Sequence, residues 1–173
     1  LRLSTRPITQ AVRHSTPAWR RQVLAGGYWL RDHRRQPDYA QCPRLHIVAS
    51  GVMLEEALQA SEIAQEDGIY ANVINVTSAD RLFHDYFQTS RRGAASYLDE
   101  LLPLPDRQIP AITLLDGHPL TLAWLGTIFS APVKPLGVVN FGETGAVQEL
   151  YHKHHIDTEA VLTAMVQVLF KAS

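Results

Sequence analysis

The chain alternates between short apolar runs and stretches whose apolar residues recur at helical spacing. Leu45 to Ala49, Tyr70 to Val76, Ala111 to Leu115 and Leu136 to Asn140 are apolar runs bounded by Gly, Pro, Ser or Asp, and read as strands. Between them lie helical patterns. Val52 to Asp67 places Leu54, Leu58 and Ile63, with Ala57, Ala60 and Ala64, on one stripe, closed by Gly68. Ala79 to about Thr89 reads as a helix, Tyr97 to Leu102 adds a turn, and Leu120 to Phe129 is a buried helical segment. Ala146 to about His154 and Thr158 to Lys171 are the last two helices, with Thr158 as the expected N-cap. Strands separated by helices predict an α/β fold with a mostly parallel sheet covered on both faces.

The first 44 residues lack this regularity. Leu1 to Thr5 alternates like a strand, residues 8–21 look irregular, and Gln22 to Leu30 reads as a short strand around Gly26-Gly27. Asp32 to Pro43 is polar with two prolines and reads as a linker. The expected organisation is therefore 1–44 as a junction and linker, and 45–173 as one domain.

Charge divides the same way. Residues 1–44 carry nine arginines against Asp32 and Asp38, a surplus of +7, while residues 45–173 carry seven Lys or Arg against fifteen acids, a deficit of −8. The basic segment is read as lying on an acidic or polar surface; its arginines are scattered and accompany no groove-reading helix or RNA-binding sheet motif, so no nucleic-acid partner is expected. Apolar residues make up 46% and charged residues 19%, a globular balance rather than a disordered one. Cys42 is the single cysteine, which excludes an internal disulfide and a four-cysteine zinc site; next to Pro43 and without a base, it reads as an unactivated thiol. The longest uncharged apolar run, Gly117 to Val133, holds Pro119, Gly126 and Pro132, so no membrane span is expected, and a cytoplasmic location is. The start resembles neither a signal peptide nor a transit helix and has no Met, so the chain is expected to begin inside something longer.

The candidate chemistry is thin. The loop Ala49 to Glu56 sits where a dinucleotide loop would be, but its one glycine cannot supply the three-glycine fingerprint, and there is no Walker loop or nucleophile elbow. His152, His154 and His155 cluster near Glu149; two imidazoles sharing a helix face with a carboxylate could bind zinc, but a polar helix end explains them better. Asp116, Gly117 and His118 follow one strand, and Asn140, Phe141, Gly142 and Glu143 follow the next, at the sheet edge where α/β proteins bind ligands. His118 could act as acid or base if Asp116 or Glu143 oriented it; turn and cap chemistry is the competing reading. Thr77 and Ser78 end a strand and are expected to cap the helix from Ala79.

Taken together, Leu1 to Arg6, Ala49-Ser-Gly51, Val76-Thr-Ser78, Leu115-Asp-Gly117, Gly137 to Gly142 and His154-His155 resemble, in order and spacing, the C-terminal domain of thiamine-diphosphate enzymes of the transketolase type. The nearest subgroup looks like the homodimeric E1 component of the pyruvate dehydrogenase complex. The resemblance implies a three-layer, mostly parallel five-stranded sheet with one antiparallel strand, supplied by Val23 to Leu30 or by a segment after Phe83. It makes Leu1 to Thr5 the last strand of a pyrimidine-binding domain. It also implies a parent enzyme that decarboxylates a 2-oxoacid and passes the acyl group to the lipoyl-bearing E2 component. A transketolase transferring a two-carbon ketol unit is the alternative, and a stand-alone interaction module using its basic arm is a third reading. Thiamine diphosphate and Mg²⁺ would be held by the other domains, so no catalytic, cofactor or metal residue carries over to this chain. The implied role is architectural, toward the rest of the polypeptide and the second subunit of a homodimer. Val139 stands where the family commonly has an aspartate two residues before the Phe of Phe-Gly, which weakens any inherited polar role for that loop.

Overall fold

The computed structural model describes residues 15–140 and 142–170. The expected strand at Leu1 to Thr5, the irregular residues 8–14, and Phe141 lie outside them. Five strands form one sheet in the order β1-β3-β2-β4-β5. They are β1 (Gly27–Arg31), β2 (Arg44–Ser50), β3 (Tyr70–Val76), β4 (Ala111–Leu114) and β5 (Val133–Leu136). The last four are parallel, and β1 runs antiparallel to β3 at one edge.

The central strands are buried on both faces, which is why they read as unbroken apolar runs. On one face Leu45, Ile47, Ala49, Val73, Ile112 and Leu114 pack against α2 (Leu54–Glu66) and α7 (Thr158–Phe170). On the other, Val48, Ile74 and Val76 meet α3 (Ala79–Ser90), α4 (Tyr97–Leu101) and α5 (Leu120–Ala123). The result is the expected three-layer α/β sandwich. α2 stops at Gly68, whose φ of +73° turns the chain into β3 at no side-chain cost.

Three expectations need correction. Pro17–Ala25 is a helix, α1, not irregular chain running into a strand. Thr16 caps it, its Oγ1 accepting from Trp19 N–H at 3.1 Å, and Pro17 opens it. It buries no residue, so no apolar stripe announces it. The antiparallel strand thus begins only at Gly27, inside the Val23 to Leu30 segment expected to supply it, and runs on to Arg31. Second, the fourth expected strand, Leu136 to Asn140, is displaced: the chain pairs through Val133–Leu136 and leaves the sheet at Gly137. Lys134 and Pro135 disguise it. Third, the helical segment from Leu120 is α5 followed by a single 3₁₀ turn, Trp124–Thr127.

Both sheet edges are irregular. The β1 register slips between Trp29 and Arg31. At β5, Ala111 N–H donates to Pro132 O at 3.0 Å, so alternate residues face β4 and Pro135 points its missing donor outward.

Residues 32–43 are a strap across the amino ends of β2 and β3. Tyr70 Oη donates to Asp38 at 2.6 Å, and Arg34 joins Asp32 and Asp106, each at 2.8 Å, while stacking 3.8 Å from the Trp29 ring centroid. Arg31 reaches Glu62 at 2.6 Å and Arg21 reaches Glu100 at 3.8 Å. These arginines of the basic segment therefore lie on carboxylates of the acidic part. α6 (Val147–Lys153) connects the candidate loops to α7. Among the described residues no helix is long and apolar enough to cross a membrane.

Candidate functional site

The carboxyl ends of β2, β4 and β5 converge because the strands are parallel and neighbouring. A Cβ on Gly51 would lie 3.7 Å from Asp116 Oδ1, so the first loop and the Asp116 loop are adjacent. A Cβ on Gly137 would fall 2.6 Å from Gly117 O and 3.0 Å from Pro119 N. Only glycine permits that approach, which is closed by Val138 N–H donating to Gly117 O at 2.9 Å. The edge is a backbone-to-backbone seam; the sequence marks Gly51 and Gly137 only as ends of the resembling segments, and their close approaches are seen in the fold. Strand-end glycines followed by polar turns were the available signal.

The singled-out side chains disperse. Thr77 and Ser78 turn away from the seam: both backbone N–H groups donate to Gly26 O, and Thr77 Oγ1 donates to Val23 O at 2.7 Å. Ser78 occupies the N-cap position of α3, but its hydroxyl donates to Asp80 at 2.6 Å instead of accepting from the helix. Thr77 and Ser78 therefore anchor α1 and β1. His118 is exposed, and its Nδ1 accepts from Leu120 N–H at 3.3 Å. Among the described residues no hydrogen bond joins it to Asp116 or Glu143. Asn140 and Gly142 are exposed.

Glu143 swings to α6. Its Oε1 accepts from Lys153 Nζ at 2.9 Å and its Oε2 lies 3.3 Å from His154 Nε2. The bond from Lys153 holds its carboxyl below the usual carboxylate range. His152 pairs with Asp157 at 2.9 Å. His155 lies beyond the end of α6 at a φ of +53°, so it does not share a helix face with His152. The N–H groups of His155 and Ile156 instead donate to the carbonyls of His152 and Tyr151, a Schellman closure with histidine in the left-handed position. The imidazoles of His152 and His154 thus serve different carboxylates, and among the described residues no group of three His, Cys, Asp or Glu is placed to hold a metal ion.

The expected N-cap of α7 moves by one residue. Asp157 Oδ1 accepts from Ala160 N–H at 2.9 Å, and Thr158 turns to Glu56. Cys42 Sγ lies 3.7 Å from Asp38 Oδ2; burial and that carboxylate push the thiol pKa up.

What this edge offers is shape rather than reacting groups: a glycine seam, polar turns, and two apolar side chains, Leu120 and Val139, that are 71% and 64% exposed. No nucleophile and base are paired there, and the described residues furnish no ligand set for a diphosphate-bound metal.

Comparison with known proteins agrees with the fold. The chromosomal and plasmid transketolases of Cupriavidus necator are each 30% identical to the chain, over 90% and 89% of it. The chain spans about a fifth of the length of these curated relatives (20% of each). Among solved structures, the transketolase of Leishmania mexicana superposes with a TM-score of 0.60 at 18% identity, over 87% of this chain and 19% of that one. A split-gene transketolase described as an inactive β4 tetramer superposes with a TM-score of 0.55 at 21% identity, over 84% of this chain and 42% of that one. The family model for the transketolase-like TK C-terminal domain matches residues 26–157, from the residue before β1 to the cap of α7, and the chain belongs to that family.

Proposed function

We propose that the chain is the non-catalytic C-terminal domain of a thiamine-diphosphate-dependent enzyme of the transketolase type, which moves a two-carbon ketol unit between sugar phosphates in the cytoplasm. The observation that carries this reading is the likeness to two transketolases across nine-tenths of the chain, joined to an edge without paired catalytic groups. One structural neighbour from Pichia stipitis is a complex with sedoheptulose-7-phosphate, which supports the substrate class.

In this reading the reaction belongs to the preceding domains, and thiamine diphosphate with Mg²⁺ supplies the carbanion chemistry there. This domain contributes a rigid platform. The seam of Gly51, Gly117 and Gly137, with exposed Leu120 and Val139, faces the pyrimidine-binding domain, and the fold extends the interface of a homodimer. The 2-oxoacid dehydrogenase reading differs in segments outside this chain, where the acyl acceptor and its lipoyl carrier would be recognised.

Two measurements test this. Calorimetry of the 173-residue chain with thiamine diphosphate and Mg²⁺ is expected to show no binding; tight binding would overturn the non-catalytic assignment. The parent polypeptide, assayed with a ketose phosphate and an aldose acceptor, is expected to transfer the ketol unit. Decarboxylation of pyruvate with acyl transfer to lipoamide, and no ketol transfer, would establish the E1 reading instead.

A further inference from the structure

At the amino end of the sheet, one asparagine joins two strands to the strap. Asn72, fully buried in β3, accepts His33 N–H on Oδ1 at 2.7 Å. A backbone N–H can only donate, so this bond fixes the amide's orientation. The Asn72 nitrogen therefore faces the other way, donating to Tyr39 Oη at 2.7 Å and meeting His46 Nδ1 at 3.3 Å. His46, fully buried in β2, places Nε2 3.1 Å from the backbone oxygen of Asp106. That oxygen can only accept, so Nε2 carries the ring proton and Nδ1 is the acceptor for Asn72. Both hydrogens of the Asn72 amide are then committed, one to the strap and one to His46.

A second proton on His46 has no acceptor. Trp29 and Phe129 wall the ring at centroid distances of 5.2 and 6.4 Å. The charges bearing on it are Arg34 and Asp32 from the strap and Arg44 on its own strand; the Asp106 carboxylate is bonded to Arg34. No carboxylate is bonded to Nδ1. His33 is also buried, its Nε2 without a partner among the described residues, its ring 5.3 Å from Tyr70, with Arg31 and Asp32 as the nearby charges.

We propose that residues 32–43 form an acid-released strap, latched to the sheet through Asn72 only while His46 is neutral. Protonation at Nδ1 sets two N–H donors against each other. Asn72 must then turn or withdraw, and either movement gives up the His33 or the Tyr39 bond that holds the strap. Burial pushes the His46 pKa down from the ordinary 6.5 to about 4, so the latch opens in acid. The strap's own carboxylates are held against protonation: Arg34 holds Asp32, and the Tyr70 hydroxyl holds Asp38, below the usual range.

The test follows amide hydrogen exchange of residues 33–42 and the His46 ring ¹⁵N shifts on the 173-residue chain, from about pH 7 to about pH 3.5, corrected for intrinsic exchange. Strap amides are expected to lose at least about tenfold more protection than those of β2 and β3 as His46 gains its proton. Two variants give opposite signs. His46→Gln removes the titration while leaving an amide to donate toward Asp106, so the strap should stay protected to lower pH. Asn72→Asp places an acceptor opposite Nδ1, so His46 should titrate higher and the strap should remain docked when it does. Full protection of the strap after His46 is protonated would overturn the proposal. So would acid release that persists unchanged in His46→Gln, which would assign it to His33 or the carboxylates. Should either variant fail to fold, the wild-type comparison of exchange with the His46 shifts decides alone.

Discussion

The Glu56 carboxylate, buried in the first turn of α2, caps the start of α7 through Thr158. Its Oε2 accepts both the Thr158 N–H at 3.0 Å and the Thr158 hydroxyl at 2.6 Å. Two helices on one face of the sheet are joined at their amino ends, where a negative charge suits both dipoles. Replacing Glu56 by Ala removes the shared acceptor of the half-buried Thr158 N–H and hydroxyl, of which the hydroxyl keeps Gln59 Oε1 at 3.0 Å, and is expected to cost about 1 kcal/mol. Thr158→Val should cost less, and a double-mutant cycle by denaturant unfolding should return a coupling of about 1 kcal/mol. Additive effects would show that the bond contributes little.

His155 holds a left-handed conformation that glycine adopts freely. His155→Gly is expected to raise stability by about 1 kcal/mol, read as a higher Tm, because the strain disappears and the two closing bonds remain. A loss of stability would mean that the imidazole makes a compensating contact.

Gly137→Ala should act in the opposite direction. A methyl at 2.6 Å from Gly117 O must force the two loops apart. The expected cost is about 1–3 kcal/mol, with NMR shift changes concentrated at residues 116–119 and 137–139.

The burial of His46 also makes global stability depend on pH. Its folded pKa of about 4 lies below the ordinary 6.5, so between these values the unfolded chain binds more protons. Stability from this group is complete above about pH 6.5 and falls as the pH drops toward about 4, by on the order of 3 kcal/mol. Urea midpoints for wild type and His46→Gln should converge as the pH is lowered through that window.

Cys42 should alkylate slowly. Its raised pKa leaves less thiolate near neutral pH than a free cysteine has, and Asp38→Asn should speed its reaction with iodoacetamide. Equal rates in the two proteins would show that Asp38 has no influence on the thiol.

The parallel core was legible because its strands are buried twice over. Leu45 to Ala49, Tyr70 to Val76 and Ala111 to Leu115 need no polar face, and their apolar runs say so. The edges were legible only in part, for the converse reason: β5 contains Lys134 and Pro135, and α1, which buries nothing, hid the true start of β1 at Gly27. His46, Asn72 and Thr113 sit fully buried in otherwise apolar strands, and no period marks them. The meeting of the Asp116 and Gly137 loops follows from strand order alone, so that part of the edge could be anticipated. The departure of Glu143 to Lys153 and His154 could not, because the partners lie ten or more residues away on a helix whose docking is tertiary. The segments that suggested an E1 component were legible as marks of the transketolase-like domain, and the curated relatives are transketolases.

Pro135 at one edge of the sheet and the register slip in β1 at the other have a consequence for the chain on its own. A parallel sheet with a regular outer strand could template itself onto another copy. Here one border lacks an N–H where a neighbour would seek it, and the other is out of step. Among the described residues, growth of the sheet by addition of another strand is disfavoured at both ends.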